Sequence, residues 1–569
     1  GLGDVYKRQV IGSIENDDAL IAIAATDTSK LEGNTGSTPF TFTVTRTGNT
    51  SQTSTVDWAV TGSGTNQATT SDFTGNVFPT GTVTFLANEA SKTITVQVAG
   101  DNTQEANEGF AVTLSNASAG TAINTAAATA SGVILNDDAS LTLAATSATK
   151  AEGNTGTTDY TFSVTRAGYL TQTTTVDWAV GGSGTNAANA ADFLNGILPS
   201  GTVTFTSGQT SQLITVKVTG DSNYEPYESF VVLLNSASAG ASIGVGTANG
   251  VIQNDDAQLS ISATNAVRPE GNSGLTDFTF TVTRIGNTSQ ASTANWAVTG
   301  FGTNQAIASD FANGVLPSGT VSFASGELSK LITVQVTGDS TYEPNESFAV
   351  TLSAPSTGTS LGTATATGTI QNDDASLTIA ATSATKAEGN TGTTDYTFTV
   401  TRGGNTNQAT TANWTVTGSG TTKAVAADFE NATLPTGTVS FAAGETTKTI
   451  TVKVAGDNLV EQDEGFTVTL SNASVGTEII AAAASGLILN DDATVNIAAT
   501  SASKLEGNSG TTPFTFTVTR SGYTTPAATI DWAVTGSGTA QATADDFVGK
   551  AFPTGTIIFN AGETTKTIQ

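Results

Sequence analysis

The chain has 569 residues, which is enough for about three to five domains of ordinary size. Its 49 acidic and 20 basic residues give a formal net charge of −29, which excludes the basic surface that nucleic acids and anionic membranes require. It contains no Cys, His or Met, which excludes disulfides, zinc-type sites, thiol nucleophiles and histidine-dependent catalytic triads. Carboxylates and hydroxyls are therefore expected to carry the chemistry, with cations as partners.

The sequence offers no membrane-spanning segment. No window approaches the roughly 18 consecutive apolar residues of a transmembrane helix, so no direct membrane insertion is expected. A chain without the easily oxidised Cys and Met suits an extracellular or cell-surface location. Residues 1–9 lack the apolar core of a signal peptide and match nothing later in the chain, so we interpret them as an N-terminal scar.

One pattern recurs four times in full and once in part, and it sets the domain organisation. Each unit opens with Glu-Gly-Asn, carries an Asp-Phe pair and then Gly-Asp at fixed distances, and closes with Asn-Asp-Asp. The period is 120 residues once and 118 residues thereafter. The resulting division is residues 1–18 as the end of a preceding repeat with the scar, complete repeats at 19–138, 139–256, 257–374 and 375–492, and a truncated fifth repeat at 493–569.

Within each unit, apolar and polar residues alternate with the period of a strand, not of a helix. In the first complete repeat the alternation covers residues 40–44, 56–60, 94–98 and 110–114. The predicted fold class is all-β, with tandem immunoglobulin-like antiparallel β-sandwiches of about seven strands each, A to G, in a linear rod. Trp58 is predicted to be a core residue between the sheets. Residues 10–18 are predicted to form an isolated G strand.

The recurring acids fall in loops that such a sandwich places together. Consecutive strands run in opposite directions, so the A–B, C–D and E–F loops and the end of strand G share one pole. Glu32 lies in the predicted A–B loop and Asp72 in the C–D loop. The E–F loop contains Asp101, Glu105 and Glu108, and the end of G contains Asp137 and Asp138. The acids are therefore expected to converge at one pole. The two-residue length difference lies toward the F–G loop, at the opposite pole.

The mutual repulsion of the carboxylates in such a cluster must be offset. Carboxylates about 4–6 Å apart repel one another by roughly 3–4 kcal/mol per pair at an effective dielectric constant near 20. Ca²⁺ is the best-fitting cation, since it takes six to eight hard oxygen ligands in flexible geometry. Mg²⁺ is the second choice because it demands stricter geometry, and transition metals are disfavoured without His or Cys.

Two other interpretations of the acids are open. Asp, Asn and Gly also decorate loops as turn and solubility residues, without any ligand. Paired carboxylates also catalyse glycoside hydrolysis. One identical site per repeat and no evident substrate cleft argue against catalysis, so the chain is not expected to be an enzyme.

The motifs together resemble those of a known family. Glu-Gly-Asn, Phe-Thr-Val-Thr-Arg, the Asp-Phe pair, Pro-x-Gly-Thr-Val-x-Phe, Gly-Asp-x3-Glu-x2-Glu-x-Phe and Asn-Asp-Asp look like the Calx-β domain, known from the regulatory region of the sodium–calcium exchanger and from large microbial surface proteins. The resemblance covers the chain from Val10 onward. It implies that each complete repeat binds Ca²⁺, with more than one ion per repeat.

By that resemblance the Ca²⁺ ligands are the recurring acids, with Glu108 a further candidate. Repeat by repeat they are Glu32, Asp72, Asp101, Glu105, Asp137 and Asp138; Glu152, Asp192, Asp221, Glu225, Asp255 and Asp256; Glu270, Asp310, Asp339, Glu343, Asp373 and Asp374; and Glu388, Asp428, Asp457, Glu461, Asp491 and Asp492. The exchanger pattern has more acids where this chain has Asn102 and Asn136. This departure implies fewer ions or weaker binding, compatible with millimolar extracellular calcium.

Each repeat begins directly after the preceding Asn-Asp-Asp, with no flexible linker. The expected function is an extracellular calcium-binding structural array, a stalk, adhesin shaft or filament subunit, in which Ca²⁺ at each junction stiffens a rod of roughly 30–40 Å per repeat. Its expected partners are calcium, neighbouring repeats and, in a filament or surface assembly, identical chains. The alternative is a calcium-responsive regulatory or ligand-binding module of a larger transporter or enzyme.

Overall fold

The computed structural model describes residues 11–569, so the predicted scar at residues 1–9 lies outside the described residues. Regular structure in this range consists of strands and three-residue 3-10 helices, which confirms the all-β prediction. No helix in the described range is long and apolar enough to cross a membrane. The prediction of a strand before the first repeat is wrong, because residues 11–18 are exposed and contain no strand. A G strand pairs with an F strand, and no F strand precedes residue 19 in the described chain.

The first repeat is a sandwich of two sheets. Its strands are β1 (Ala19–Asp27), β2 (Ser29–Leu31), β3 (Ser37–Gly48), β4 (Ser54–Ser63), β5 (Thr80–Phe85), β6 (Ser91–Ala99), β7 (Glu108–Ser115), β8 (Thr121–Ile123) and β9 (Thr129–Leu135). One sheet has the order β6-β3-β1-β8, and the other has the order β2-β9-β7-β4-β5.

The predicted A and G strands are each split into two segments that belong to different sheets. β1 pairs antiparallel with β3, whereas β2 pairs parallel with β9 in the opposite sheet. β8 pairs parallel with β1. A register shift between Ala25 and Asp27 marks where the chain leaves the first sheet. The predicted antiparallel sandwich is confirmed, and these two parallel pairs are an addition to it that alternation along a strand could not reveal.

The second and third repeats have the same strand order. The second repeat contains β10 (Ala139–Ser147), β11 (Thr149–Ala151), β12 (Thr157–Gly168), β13 (Thr174–Gly182), β14 (Ser200–Phe205), β15 (Ser211–Thr219), β16 (Glu228–Asn235), β17 (Ala241–Val245) and β18 (Thr247–Gln253). The third repeat contains β19 (Ala257–Asn265), β20 (Val267–Pro269), β21 (Gly274–Gly286), β22 (Ser292–Gly300), β23 (Ser318–Phe323), β24 (Ser329–Gly338), β25 (Glu346–Ser353), β26 (Thr359–Leu361) and β27 (Thr365–Gln371).

The fourth repeat has this order too, and the fifth contributes five strands. The fourth repeat contains β28 (Ala375–Ser383), β29 (Thr385–Ala387), β30 (Thr393–Gly404), β31 (Thr410–Ser419), β32 (Thr436–Phe441), β33 (Thr447–Ala455), β34 (Glu464–Ser471), β35 (Thr477–Ala481) and β36 (Ala483–Leu489). The fifth contains β37 (Ala493–Ser501), β38 (Thr515–Gly522), β39 (Ala528–Ala533), β40 (Thr554–Phe559) and β41 (Thr565–Ile568).

Short 3-10 helices shape the connections. Five lie between the C and D strands, at Thr70–Asp72, Ala190–Asp192, Ala308–Asp310, Ala426–Asp428 and Ala544–Asp546, and three follow them at Leu194–Gly196, Ala312–Gly314 and Glu430–Ala432. The ninth, Thr125–Ala127, lies between β7 and β9. It occupies the F–G region, where the sequence locates the two extra residues of the first repeat.

An aromatic cluster forms the centre of each complete core. In the second repeat, the ring centroids of Tyr160, Phe162 and Phe193 lie 5.7, 5.9 and 5.4 Å from that of Phe230, all edge to face. All four side chains are fully buried. Alternation along β12 directs Tyr160 and Phe162 to the same inner face, where Phe230 of β16 meets them from the other sheet.

The tryptophans are less central than predicted. Trp58 and Trp178 contact the core but are only partly buried. Trp178 pairs across strands with Gly201, and a Cβ on that glycine would lie 3.0 Å from the indole Nε1. The ring therefore packs over a residue without a side chain at the margin of the sheet.

A buried arginine organises the pole opposite the acids. The Arg166 guanidinium donates hydrogen bonds to the carbonyl oxygens of Leu170 at 3.1 Å, Gln172 at 2.8 Å and Thr206 at 3.0 Å. It also stacks 5.3 Å from the centroid of the Phe205 ring. Carbonyl groups thus hold this buried cation, and the B–C turn between β12 and β13 is fixed as a result.

The aromatic cluster generates a stability prediction. Phe230→Ala removes the residue that three rings contact, so we expect the second repeat to lose about 3–5 kcal/mol of unfolding free energy. Native-state hydrogen exchange of β16 amides measures this loss. Leu233→Ala on the same strand is the matched control, because Leu233 is 45% exposed. Equal losses in the two variants would contradict the central role of Phe230.

Candidate metal centre

The recurring acids meet at one pole of each complete repeat, as the loop assignment predicts. In the second repeat Glu152 lies between β11 and β12, and Asp192 ends the 3-10 helix Ala190–Asp192. Asp221 and Glu225 lie between β15 and β16, and Asp255 and Asp256 follow β18 directly. Three loops and one strand end therefore supply the carboxylates of a single site.

Three of these acids form the terminal triad, defined as Glu152, Asp255 and Asp256. Each offers an oxygen within 4.8 Å of the others, and Glu152 and Asp256 are 3% and 0% exposed. The Gly153 amide donates to Asp255 Oδ1 at 3.1 Å, and Asn154 Nδ2 donates to Asp256 Oδ1 at 2.9 Å. The Glu-Gly-Asn motif therefore supplies one acid and two donors that orient the other two.

The second oxygen of Asp256 is buried without a hydrogen-bond partner among the described residues. The same oxygen has no partner in Asp138, Asp374 and Asp492 within the described part of the chain. A buried carboxylate oxygen without a partner is costly, and one that recurs at the same position in four repeats calls for a specific explanation.

Asn254 holds the terminal triad to the E–F loop. Its Oδ1 accepts a hydrogen bond from the Glu225 amide at 3.2 Å, and its Nδ2 donates to the Asp256 carbonyl at 2.8 Å. The asparagine therefore fixes the backbone of the site with two hydrogen bonds.

A second set of acids, the loop triad, consists of Asp192, Glu225 and Glu228. Asp192 Oδ2 accepts a hydrogen bond from the Asn189 amide at 2.5 Å, which orients the carboxylate. Glu228 opens β16 and corresponds to Glu108 of the first repeat. Glu108 is only a further candidate in the predicted ligand set, and the structure places its counterpart Glu228 within the loop triad.

Asp221 belongs to neither triad. It is exposed, and its Oδ1 accepts a hydrogen bond from the Asn223 amide at 2.7 Å within its own loop. Its charge nevertheless contributes to the raised pKa values of both Glu152 and Glu225. The structure thus brings five of the six predicted acids of this repeat into triads and places the sixth at the solvent edge.

Burial and mutual repulsion dominate the electrostatics of this pole. Burial, followed by the charges of Glu225, Asp221, Asp256 and Asp255, raises the pKa of Glu152 to about 8. Burial and the neighbouring Asp255 raise the pKa of Asp256 to about 6. At neutral pH without a cation, Glu152 therefore retains a proton that a glutamate ordinarily loses.

The donor set fits a hard divalent cation. Both triads offer carboxylate oxygens, and the unpartnered oxygen of Asp256 is a buried acceptor of the kind that a cation would satisfy. The chain contains no His or Cys to favour a transition metal. Flexible multi-oxygen coordination is the requirement of Ca²⁺.

The opposite pole of the next repeat covers the site. Ala257 opens β19 directly after Asp256, so no linker separates the repeats, as expected. The Asn287 amide in the next B–C turn donates to the Asp256 carbonyl at 2.8 Å. Gly358 in the next F–G turn donates to Ser222 Oγ at 3.1 Å and lies against Asn154. The metal-site loops are therefore also the docking surface for the following repeat.

Several solved structures are similar to parts of this chain. CBD12 from CALX1.2 shares 16% identity over 41% of this chain and 99% of that chain, with a TM-score of 0.20. The calcium binding domain CBD12 of CALX1.1 shares 16% identity over 40% and 98%, with a TM-score of 0.19. The apo-form Calx CBD1 domain shares 22% identity over 21% and 100%, with a TM-score of 0.18. A comparison with curated proteins gives no match.

A family model described as Calx-beta domain matches residues 15–139, 136–257, 253–380, 371–500 and 489–569. These five stretches follow the repeats along the chain and together cover it from residue 15 to its last residue. The chain therefore belongs to the Calx-β family and carries five tandem Calx-β domains.

Proposed function

We propose that each complete repeat binds Ca²⁺ and that the chain is an extracellular structural rod whose junctions calcium stiffens. The observation that carries the calcium assignment is the buried, unpartnered oxygen of Asp256, which recurs at the same position in the other complete repeats of the described chain. Membership in the Calx-β family and a printed calcium-binding description for a similar structure support it.

Two triads support more than one ion per repeat. Glu152, Asp255 and Asp256 would hold one ion, and Asp192, Glu225 and Glu228 would hold another. Each bound ion would supply positive charge that offsets the repulsion within its triad. The chain has only 20 basic residues against 49 acidic residues, so external cations are the natural source of this charge.

The rod role rests on the junctions. The next repeat begins directly after Asp256, and its turns donate hydrogen bonds to the Asp256 carbonyl and to Ser222. An ion that fastens the end of β18 to the A–B and E–F loops would restrict bending at this point. No catalytic role is proposed for the acids, since the same carboxylate set is repeated in every complete repeat.

A calcium-responsive module of a larger protein is the second candidate. Asn154 contacts both Asp256 of the site and Gly358 of the following repeat. Ion binding at Asp256 would thereby be communicated to the neighbouring repeat, as a regulatory module requires. A large change of domain arrangement with calcium would favour this function over a permanent shaft.

Calcium should stabilise the protein specifically. A ligand that binds only the folded state at 100 times its dissociation constant adds about 2.7 kcal/mol, so we expect millimolar Ca²⁺ to raise Tm by about 4 °C or more relative to excess chelator. Differential scanning calorimetry with Mg²⁺ as the cation control measures this. Asp256→Asn should reduce the rise for the second repeat, whereas Asp277→Asn at an exposed site should not. If Ca²⁺ causes no specific rise in Tm, the acids are turn and solubility residues that bind no ligand.

When Ca²⁺ is removed, protons bound to the carboxylates should partly offset the repulsion that the cation offsets. In chelator, Glu152 has a pKa of about 8 in the folded chain against 4.5 ordinarily, so the folded state binds more protons between these values. Stability should therefore fall as pH rises from about pH 5 to about pH 8. The stabilisation by Ca²⁺ should grow over the same range, because calcium competes with these protons. Thermal melts across this range check both slopes, and a cation-free Tm that rises with pH would contradict the assignment.

Calcium should also narrow the distribution of chain shapes. At roughly 30–40 Å per repeat, five repeats give a maximum dimension of roughly 150–200 Å for a straight rod. Small-angle X-ray scattering should show this dimension in millimolar Ca²⁺ and a broader, shorter distribution in chelator. Identical scattering profiles would rule out the stiffening role while leaving calcium binding itself intact.

A further inference from the structure

The four junctions fall into two types that the proposed calcium role does not explain. At each junction one side chain of the preceding E–F loop packs on the glycine that ends the next B strand. The pairs are Gln104 with Gly168, Tyr224 with Gly286, Tyr342 with Gly404 and Val460 with Gly522.

The glycines permit this close approach. A Cβ on Gly286 would lie 2.6 Å from Tyr224 Cδ2, and one on Gly404 would lie 2.7 Å from Tyr342 Cδ2. Their φ angles of +82° and +70° also disfavour any other residue. The loop side chain is therefore in fixed contact with the following repeat.

The residue after each glycine is anchored at the same place. The backbone amides of Tyr169, Asn287, Asn405 and Tyr523 donate to the carbonyl of the last Asp of the preceding repeat, at 2.9, 2.8, 2.9 and 2.7 Å. In two junctions the side chain is fixed as well, because Asn287 Nδ2 donates to the Asp255 carbonyl at 2.8 Å and Asn405 Nδ2 donates to the Asp373 carbonyl at 2.9 Å.

These two positions vary together. Where the preceding repeat supplies tyrosine, the following turn supplies asparagine, as in Tyr224 with Asn287. Where the preceding repeat supplies glutamine or valine, the following turn supplies tyrosine, as in Gln104 with Tyr169. Each of the four junctions thus contains one tyrosine at these two positions.

The residue that follows the aspartate of the Gly-Asp motif divides the junctions in the same way. Ser222 Oγ and Ser340 Oγ accept hydrogen bonds from the Gly358 and Gly476 amides at 3.1 and 3.3 Å in the tyrosine–asparagine junctions. In the first junction, Asn102 Oδ1 accepts from the Gly240 amide at 2.7 Å. The fourth junction also has asparagine here, Asn458. Serine thus accompanies one type of junction and asparagine the other.

A groove borders the turn asparagine in both tyrosine–asparagine junctions. Beside Asn287 lies a groove of about 510 Å³, also lined by Tyr224 and Glu225, and beside Asn405 lies one of about 570 Å³, also lined by Tyr342 and Glu343. The tyrosine of the preceding loop and the asparagine of the following turn therefore share one groove. In the first and fourth junctions the turn position that corresponds to this asparagine holds tyrosine.

We propose that each junction requires one tyrosine, supplied by the preceding loop or by the following turn, and that this matched pair selects which repeat docks on which. The partner that fits the acid pole of the second repeat is a repeat whose turn carries asparagine. The partner that fits the first repeat is one whose turn carries tyrosine. A pair of glutamine and asparagine, found at none of the four junctions, leaves the contact underfilled.

Junction amides in the full chain provide the test. Hydrogen exchange is followed by mass spectrometry at Asn287 and Gly358, whose amides bond to the preceding repeat, in chelator and again in Ca²⁺. Tyr224→Gln creates the unmatched pair and should speed exchange at both amides about tenfold. Adding Asn287→Tyr recreates the pair of the first junction and should restore exchange to within about threefold of the original rate.

Controls separate docking from folding. Exchange of the core strand around Phe280 reports whether the third repeat remains folded in each variant. Leu331→Gln, on β24 of the third repeat and 64% exposed, should leave the junction amides unchanged. The Tyr342→Gln and Asn405→Tyr pair repeats the test at the next junction.

The decisive measurement is the change in junction-amide exchange rate caused by Asn287→Tyr. It is made both in the original chain and in the Tyr224→Gln variant. The proposal requires this substitution to slow exchange at least about fivefold in the Tyr224→Gln variant and less than about twofold in the original chain. Equal effects in both backgrounds, or no effect of Tyr224→Gln, would overturn it. Since the chelator measurement needs no bound ion, the result stands apart from the calcium proposal.

Discussion

Each complete repeat buries carboxylates of like charge at one pole, and this repulsion constrains the loops, the junctions and the ligand chemistry together. Glu152 and Asp256 are almost entirely removed from solvent, and this burial, followed by the charges of neighbouring carboxylates, raises their pKa values. Such a pole is stable only with protons or added cations. Asn154 of Glu-Gly-Asn donates to a carboxylate oxygen of Asp256, and Asn254 of Asn-Asp-Asp donates to the backbone carbonyl of Asp256, so the two asparagines fix the position of this acid.

The loops that carry these acids also contact the next repeat, so the candidate metal site and the junction share the same residues. Asn154 binds Asp256 and lies against Gly358, while Asn287 donates to the carbonyl of Asp256. At the opposite pole, a buried arginine such as Arg166 fixes the B–C turn through carbonyl bonds, which presents that turn in one shape to the preceding repeat. Each complete repeat therefore has one pole built around negative charge and one built around a buried positive charge.

Much of the candidate site followed from spacing and strand alternation. Loop assignment alone placed Glu152, Asp192, Glu225, Asp255 and Asp256 at one pole, because alternating strand directions leave no other arrangement for them. It did not separate them into two triads, and it did not settle whether Glu228 joins them. Whether the first residue of a strand turns into the site depends on the twist and register of β16 against its neighbours, and these are not encoded in local spacing.

Local period, residue count and chain direction are enough to predict the all-β class, the period of the repeats, the shared pole of the acids and the absence of a linker. Tertiary structure alone decided the parallel pairing of β2 with β9, the marginal position of Trp178 and the contact of Tyr224 with Gly286. Each of these joins residues far apart in the chain or in different repeats. Their energies come from packing and hydrogen bonds between sheets and between domains, which no local pattern records.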